Sequence, residues 1–251
     1  YEPVPLYISR TGRWYTGDAL LDVGVYQNFN AERCGAKPTR LSEIPGEGLV
    51  LKAPAKTSKF GAAPKDELLH IDAALLCMHG MHGEDGSLQG VLEMSDIPYT
   101  SAGIVGSAAG MDKAVMKRVF AGCGFPQVDF IDFTRNIWQK DEKHAIARVE
   151  SEIGYPAYIK PSNLGSSIGI SRVENRAQLK DGVELAFMYD RKIVVEKAVT
   201  DPMEINCSVL GADGIARASV CERPLGWEEF LTFDDKYLKG GKGQKSTGRE
   251  I

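Results

Sequence analysis

A lysine followed by a loop of small residues is the segment of this sequence best suited to phosphate chemistry. Lys160 ends an apolar stretch, and Gly165, Ser166, Ser167 and Gly169 follow it. Backbone N–H groups of such a loop can surround phosphate oxygens while the lysine supplies a positive charge. Taken alone, the pattern is equally typical of a hairpin turn with a surface lysine, so both interpretations stay open at this point.

The strand-like stretch 194–199 is a second candidate for contact with a nucleotide. It contains Glu196 and Lys197, ends at Val199, and is followed by Glu204. Such a strand end can offer a carboxylate and peptide groups to the edge of an adenine base, and Glu204 can accept hydrogen bonds from ribose hydroxyls. In isolation, the neighbouring Glu and Lys indicate only an exposed charge pair.

Three more polar side chains gain meaning only if a site lies nearby. Lys113 stands at the start of a predicted helix, and Lys236 and Tyr237 follow two aspartates just before a glycine- and lysine-rich segment. Each segment is by itself typical of a solvated surface. Near a bound anion, the lysines would supply positive charge and Tyr237 a hydroxyl.

The turn 79–86 places two histidines beside two carboxylates. His79 and His82 are three residues apart, with Glu84 and Asp85 following. Two histidines in a glycine-rich turn lack the third and fourth ligands of a typical zinc site, so we predict no metal site from these residues. The glycines before the next predicted helix do offer N–H groups to an anion.

Several widespread motifs are missing from the sequence. The segment 241–247 lacks the glycine that precedes the lysine of a P-loop, and no stretch fits the dinucleotide fingerprint. Residues 165–169 have the length of a hydrolase nucleophile elbow but lie between two predicted strands, which is the wrong context. A nucleotide would therefore be bound by another device, and no covalent nucleophile is predicted.

The composition is that of a globular protein. Of 251 residues, 43% are hydrophobic and 25% are charged, and the formal net charge of -4 gives no general attraction to nucleic acid or to acidic membranes. No apolar run is long enough to span a membrane. The five cysteines form no close pair, and we expect buried free thiols at Cys77 and Cys207. Free thiols favour a cytoplasmic setting.

The order of predicted elements is that of an α/β protein. In the first half, strands at 4–8 and 71–78 enclose a helix-like stretch at 19–34. The second strand leads through the glycine-rich turn into a helix at 87–95, a succession typical of open α/β sheets. In the second half we predict helices at 111–121 and 175–189, two strands within 159–173, a strand at 193–196, and a hairpin of 204–210 with 215–221.

Together these segments resemble one family, the D-alanine–D-alanine ligases of the ATP-grasp superfamily. The resemblance is carried by short motifs in family order across nearly the whole chain. They are His79-Gly80, Gly83-Glu84-Asp85-Gly86, Leu88-Gln89-Gly90, Met111-Asp112-Lys113, Lys160-Pro161, Gly165-Ser166-Ser167-Ile168-Gly169, Val195-Glu196-Lys197 and Asp235-Lys236-Tyr237. Such a joint match is far more specific than any of its parts.

The resemblance implies an ATP-grasp fold with an N-terminal Rossmann-like α/β domain. It divides the chain into an N-terminal substrate domain at 1–101, a central small domain with a phosphate lid at 102–196, and the start of a C-terminal ATP-grasp domain at 197–251. A loop at 239–249 is expected to fold over the site. The family's metal ligands would lie beyond Ile251, so a chain ending there is expected not to turn over on its own.

Roles for individual residues also follow from the resemblance. Lys113 and Lys160 look like the lysines that hold ATP phosphates, beneath a lid formed by Gly165, Ser166 and Ser167. Glu196, Lys197 and Val199 look like the adenine contacts, and Glu204 like the ribose acceptor. Ser166, Tyr237, Lys236 and His79 resemble the residues beside the two D-alanine subsites.

The implied activity is ATP-dependent ligation of two D-alanines through a D-alanyl phosphate, for peptidoglycan synthesis. ATP and Mg²⁺ or Mn²⁺ are the implied cofactors, and a homodimer is what the family suggests. Two alternatives stay open. One is a D-alanine–D-serine ligase, or with less support from Lys236 and Tyr237 a D-alanine–D-lactate ligase. The other is an inactive nucleotide-binding fragment.

Overall fold

A computed structural model describes residues 1–52, 65–212, 214–224 and 249–250. The chain forms two compact units, Tyr1–Val105 and Gly106–Ile251. The division into three domains that the sequence suggests stays a prediction.

The first unit is built on a five-stranded antiparallel sheet. Its strands follow one another in space as they do along the chain. They are β1 (Leu6–Ile8), β2 (Trp14–Thr16), β3 (Lys37–Leu41), β4 (Leu49–Leu51) and β5 (Glu67–Leu69). Each strand pairs with its neighbour in an antiparallel register.

The helix-like stretch at 19–34 is broken into three short pieces. Two 3-10 helices, Asp18–Leu21 and Val23–Asn28, precede the single turn α1 (Ala31–Cys34). The breaks have local causes, because the Asp22 side chain accepts a hydrogen bond from the Gly24 N–H and the Asn30 side chain caps α1. Such Asx side chains compete with continuous helix formation.

The prediction of a strand at 71–78 is wrong. The segment makes one parallel bridge, between Ala74 and Tyr99, and Leu75 is 76% exposed. Its alternate residues Ala74, Leu76 and Met78 pack against the buried side chains of Leu88, Leu92 and Ile97. The segment is therefore extended, and its apolar character reflects one packed face and not burial on both sides.

The glycine-rich turn leads into a helix, as predicted. Helix α2 (Ser87–Met94) begins directly after Gly86, whose φ is 91°. Leu88, Gln89 and Leu92 are its buried residues. Gly83 cannot carry a side chain here, because a Cβ would lie 2.5 Å from the Met78 Cβ.

The second unit contains a four-stranded sheet with the spatial order β6-β9-β7-β8, in which all neighbours are antiparallel. The strands are β6 (Phe130–Thr134), β7 (Ala157–Pro161), β8 (Ser171–Val173) and β9 (Lys192–Lys197). The elements between them are α5 (Arg135–Lys140), α6 (Glu142–Arg148), a π-helical turn Val149–Ile153, and α7 (Arg176–Tyr189). The predicted strands within 159–173 and at 193–196 are confirmed, whereas β6, α5 and α6 had no counterpart in the sequence analysis.

Helix α7 covers one face of this sheet. Asn175 caps it by accepting hydrogen bonds from the N–H groups of Ala177 and Gln178, as the sequence suggested. Val183 and Phe187 pack into a core that also contains Phe133. The core of this unit comprises side chains from all four strands, α5, α6, the π-helical turn and α7.

Two helices precede the four-stranded sheet along the chain. Helix α3 (Ile104–Met111) ends one residue before α4 (Lys113–Gly122), and Asp112 between them caps α4. The sequence predicted one helix over 111–121, so α3 was missed. Several of its residues are small, Gly106, Ser107 and Gly110 among them. Apolar residues therefore do not recur at helical spacing clearly enough to predict a helix.

The last described elements form two antiparallel pairs. The predicted hairpin is confirmed in shorter form as β10 (Val209–Ala212) with β11 (Ile215–Ala218). Strand β12 (Arg223–Pro224) pairs with β13 (Arg249–Glu250). Within the described residues, no helix has the length and apolar character needed to cross a membrane.

The cysteines are free, but the prediction that they are buried is wrong. Cys77, Cys123, Cys207 and Cys221 are exposed, and Cys34 is half-buried. Cys77 points away from the packed face of its extended segment, and Cys207 lies just before β10, where the neighbouring residues are exposed.

Candidate active site

A buried carboxylate held by two lysines forms the centre of the candidate site. The Glu196 side chain on β9 is paired with Lys160 on β7 through one carboxylate oxygen. Its other oxygen, Oε2, lies 2.9 Å from the Nζ atom of Lys117 on α4. Glu196 is only 8% exposed. Burial tends to raise the pKa of Glu196, but Lys160 and Lys117 outweigh it and hold that pKa below its usual value.

The strand alternation explains why Lys160 and Glu196 meet. On β7, Ala157 and Ile159 face the core while Tyr158 and Lys160 point to the opposite side. In the ladder, Tyr158 lies opposite Glu196. Lys160 reaches along the same face to the carboxylate, and its Nζ atom is 5.5 Å from the centre of the Tyr158 ring.

Lys113 connects α4 to the small-residue loop. Its Nζ atom donates to the Leu164 carbonyl, and its backbone N–H donates to the Ser162 carbonyl at 2.9 Å. Burial, followed by the nearby charge of Lys160, lowers the pKa of Lys113, while Glu196 opposes the shift. A half-buried lysine beside a second lysine is a favourable place for a bound anion.

Asp112 organises the start of α4. Its Oδ1 atom accepts from the N–H groups of Ala114 and Val115, both at 3.1 Å, and from the Ser162 hydroxyl at 2.7 Å. Its other oxygen is paired with Lys192 at the start of β9. Burial opposes ionisation of Asp112, but the hydrogen bonds from Lys192 and Ser162 prevail and lower its pKa. One carboxylate thus ties together α4, β9 and the residue that begins the loop.

The loop 162–169 has an unusual backbone. Ser166 and Ser167 have φ values of 54° and 60°, and Gly169 has 69°, which is a left-handed region that few residues other than glycine adopt readily. A Cβ on Gly169 would lie 2.7 Å from Tyr189, whereas one on Gly165 would meet nothing within 4 Å. The loop is therefore tightly constrained at its end and open near its middle.

The structure brings together part of the predicted site. Lys113, Lys160, Glu196 and the loop with Gly165, Ser166 and Ser167 lie in one region of the second unit, joined by the contacts above. Lys197 is exposed, and its N–H donates to the Asp129 carbonyl at 3.0 Å. Val199 and Glu204 are exposed as well.

The structure does not place the remaining predicted site residues in this cluster of lysines and Glu196. His79 belongs to the first unit, where its side chain is 76% exposed and its Nδ1 atom lies 3.8 Å from Glu84 Oε1. Lys236, Tyr237 and residues 239–248 of the predicted loop lie outside the described residues, and Arg249 at its end belongs to β13. Among the residues that the structure does describe, no group of three or more His, Cys, Asp or Glu side chains could hold a metal ion.

Three charged residues of this region had no role predicted from the sequence. Lys117 lies one helical turn after Lys113 on α4, a spacing that puts both on one face. Asp112 could have been recognised as a helix cap from its position before Lys113. Lys192 gave no signal, because it meets Asp112 only where the start of β9 lies beside the start of α4, and these segments are distant in sequence.

Two family models match this chain. The model of the D-ala D-ala ligase N-terminus matches residues 1–102, and the model of the D-ala D-ala ligase C-terminus matches residues 119–248. The second match alone covers more than half of the 251 residues. The chain belongs to the D-alanine–D-alanine ligase family. The resemblance stated from the sequence motifs is confirmed.

Relatives in the family agree with this assignment. A D-alanine–D-alanine ligase of Bacillus velezensis is 40% identical over 237 residues, covering 94% of this chain and 63% of the relative. The ligase of Bacillus cytotoxicus is 35% identical over 240 residues, covering 96% of this chain and 63% of the relative. The chain thus spans less than two thirds of the length of these D-alanine–D-alanine ligases.

Solved structures of the family share the fold. The D-alanine–D-alanine ligase from Coxiella burnetii superposes with a TM-score of 0.68 at 26% identity, covering 88% of this chain and 60% of that chain. The VanG D-Ala:D-Ser ligase from Enterococcus faecalis gives a TM-score of 0.71 at 26% identity, covering 88% of this chain and 59% of that one. The α/β class with an ATP-grasp fold is confirmed.

Proposed function

We propose that the protein catalyses the ATP-dependent ligation of two D-alanines to D-alanyl-D-alanine, a step of peptidoglycan synthesis. The observation that carries this proposal is the cluster of Lys113, Lys160 and Glu196 beside the loop 162–169, in a chain of the D-alanine–D-alanine ligase family. The family membership supports the reaction, and the cluster supplies the charges that its nucleotide requires.

The lysines would bind the phosphates of ATP. In the structure, Lys113 donates to the Leu164 carbonyl and Lys160 donates to Glu196. Phosphate oxygens would replace these internal partners. Gly165, Ser166 and Ser167 would cover the phosphates. A loop that excludes water protects an acyl phosphate from hydrolysis.

The strand end of β9 would receive the base and the ribose. Glu196 and the backbone of Lys197 and Val199 would contact adenine, and Glu204 would accept from the ribose hydroxyls. His79, Ser166, Lys236 and Tyr237 would line the D-alanine subsites. These roles rest on the sequence motifs of the family and extend to residues outside the described part of the chain.

The chemistry suits side chains that position and neutralise charge. A carboxylate oxygen of the first D-alanine attacks the γ-phosphorus of ATP, the bond to ADP breaks, and D-alanyl phosphate forms. The amine of the second D-alanine then attacks the acyl carbon, and phosphate leaves from the tetrahedral intermediate after a proton is lost from nitrogen. Cations around the transferring phosphoryl group lower the barrier by electrostatic stabilisation and alignment.

The family resemblance also implies a divalent metal, Mg²⁺ or Mn²⁺. Among the described residues, no cluster of His, Cys, Asp or Glu side chains fits such an ion. The cytoplasmic setting, a homodimer and the domain limits 1–101, 102–196 and 197–251 likewise stay proposals.

A D-alanine–D-serine ligase is the second candidate function. The observation that favours it is the likeness to the VanG D-Ala:D-Ser ligase, which is as similar in fold as the D-alanine ligase from Coxiella burnetii. The D-alanine–D-alanine ligases of Bacillus are more similar in sequence and favour D-alanine as the second substrate.

Phosphate release from ATP tests both candidates. The protein expressed from its complete open reading frame is incubated with ATP and Mg²⁺, first without amino acid, then with D-alanine, and then with D-alanine and D-serine or D-lactate. We expect release only when D-alanine is present, with the homodipeptide as the product identified by mass. Nucleotide binding without D-alanine-dependent release would overturn the ligase proposal.

A further inference from the structure

Glu196 has two lysine partners, and the proposed function requires one of them, Lys160, to bind the phosphates of ATP. Lys160 holds one carboxylate oxygen, and Lys117 holds the other at 2.9 Å. We propose that Lys117 is a positioning residue that keeps the Glu196 carboxylate in place for the adenine base when Lys160 moves to the phosphates of ATP. This inference rests on the proposed function and adds to it a residue that the family motifs did not indicate.

Burial makes a second partner for Glu196 necessary. The Lys117 and Glu196 side chains are 12% and 10% exposed. Removing one partner of a buried ion pair leaves an uncompensated charge, which is far more unfavourable than the loss of a surface pair. If Lys160 were the sole partner, its transfer to a phosphate would leave the carboxylate in that state. Lys117 prevents this, because it stays on Oε2.

Lys117 is placed so that a phosphate does not compete for it. Its Nζ atom lies over the ring of Phe130, 5.1 Å from the ring centre, and Phe130 is the β6 residue opposite Glu196 in the sheet. Lys113, one helical turn earlier, instead reaches the Leu164 carbonyl in the phosphate loop. The two lysines of α4 therefore have different tasks, since one faces the loop and the other faces the carboxylate.

Comparison of ATP with adenosine separates this role from a purely structural one. Adenosine has no phosphate, so Lys160 can remain on Glu196 when it binds, and Lys117 becomes dispensable. With ATP, the variant Lys117→Met must either leave Glu196 unpaired or keep Lys160 away from the phosphates. A substitution that merely loosened the fold would weaken both ligands to the same degree.

The experiment is calorimetric titration of the protein from its complete open reading frame with ATP and with adenosine. We expect Lys117→Met to weaken ATP binding by about 10-fold or more and adenosine binding by less than about 2-fold. Lys117→Arg keeps the charge and should restore ATP binding to within about 3-fold. The matched control is Lys180→Met, which removes the exposed pair with Glu142 (49% and 43% exposed) and should change neither affinity.

The outcomes distinguish the two proposals. Equal losses for ATP and adenosine, or no loss for ATP, would overturn the role of Lys117 and leave the proposed function standing. Failure of the unsubstituted protein to bind ATP would overturn both. Thermal unfolding of each variant checks its folding, and Lys117→Gln replaces Lys117→Met in the same comparison if the methionine variant does not fold.

Discussion

Two glycine-rich turns in the described part of the chain, 79–86 and 162–169, are stabilised in different ways. In turn 79–86, carboxylates of the turn itself serve as acceptors: Glu84 accepts from the Gly80 N–H, and Asp85 accepts from the His82 N–H at 2.9 Å. The loop 162–169 is held from outside. The Asp190 side chain accepts from the Asn163 N–H at 2.8 Å, and Lys113 donates to Leu164.

This difference shows that glycine content alone does not identify an anion site. Turn 79–86 surrounds its N–H groups with its own negative charges, and Asp85 also accepts from Ser87 at the start of α2 at 3.0 Å. Loop 162–169 instead lies beside lysines from α4 and β7. The neighbouring charge decides which turn suits phosphate, and in loop 162–169 that charge comes from elements distant in sequence.

Removal of a lysine beside loop 162–169 tests this comparison most strongly. We expect Lys113→Met to lower D-alanine-dependent phosphate release by about 100-fold or more, because in the proposed function Lys113 stabilises charge on the reacting phosphoryl group. The measurement is the steady-state rate as a function of ATP concentration.

The matched substitution in the other turn is His79→Ala. Because His79 lies among carboxylates and is assigned to a D-alanine subsite, its loss should leave the KM for ATP within about 2-fold and raise the KM for D-alanine. An increase of the KM for ATP as large as that in Lys113→Met would remove the distinction between the turns.

Two glycines within loop 162–169 should differ in how well they tolerate substitution by alanine. Gly169→Ala should lower the free energy of unfolding by about 3 kcal/mol, because it combines a left-handed backbone with a Cβ that would lie 2.7 Å from Tyr189. Gly165→Ala should change it by less than about 1 kcal/mol, since its Cβ would meet nothing within 4 Å. Denaturant unfolding measures both, and similar values would mean that Tyr189 does not constrain the end of the loop.

The external support of loop 162–169 should depend on pH. Asp112→Ala is expected to lower the free energy of unfolding by about 2 kcal/mol at pH 7, because a helix cap and the hydrogen bond from Ser162 are lost. Burial raises the pKa of Asp112, yet the bonds from Lys192 and Ser162 bring it below the usual value. Its contribution to stability is therefore complete above about pH 4 and is lost as the pH falls through the folded-state pKa.

The measurement compares denaturant unfolding of the unsubstituted protein and the Asp112→Ala variant at pH 7 and pH 3. The cost of Asp112→Ala should be smaller at the lower pH. The variant Asp112→Asn retains an acceptor for the cap and should fall between the two proteins at pH 7. A cost that is the same at both values would show that the ionised form of Asp112 contributes nothing.

The sequence predicted local features of the fold better than long-range ones. The cap at Asn175 and the strands around loop 162–169 were visible because each depends on residues close together in the chain. The placement of α4 beside β9 was not visible, so the contacts of Lys117 with Glu196 and of Lys192 with Asp112 were missed. The segment 71–78 was misjudged because its apolar residues pack on one face only, while Leu75 is 76% exposed.

The smallest effect is expected from the carboxylates of turn 79–86. Asp85→Asn should lower the free energy of unfolding by about 0.5 kcal/mol, because asparagine retains one acceptor for the N–H groups of His82 and Ser87. Burial raises the pKa of Asp85, but these two donors outweigh it, so this small contribution also disappears below about pH 4. Denaturant unfolding with Glu84→Gln as the companion variant measures it. A loss of stability as large as that of Asp112→Ala would mean that turn 79–86 also stabilises the surrounding structure. The two turns would then differ in their neighbouring charges and not in how they are held in place.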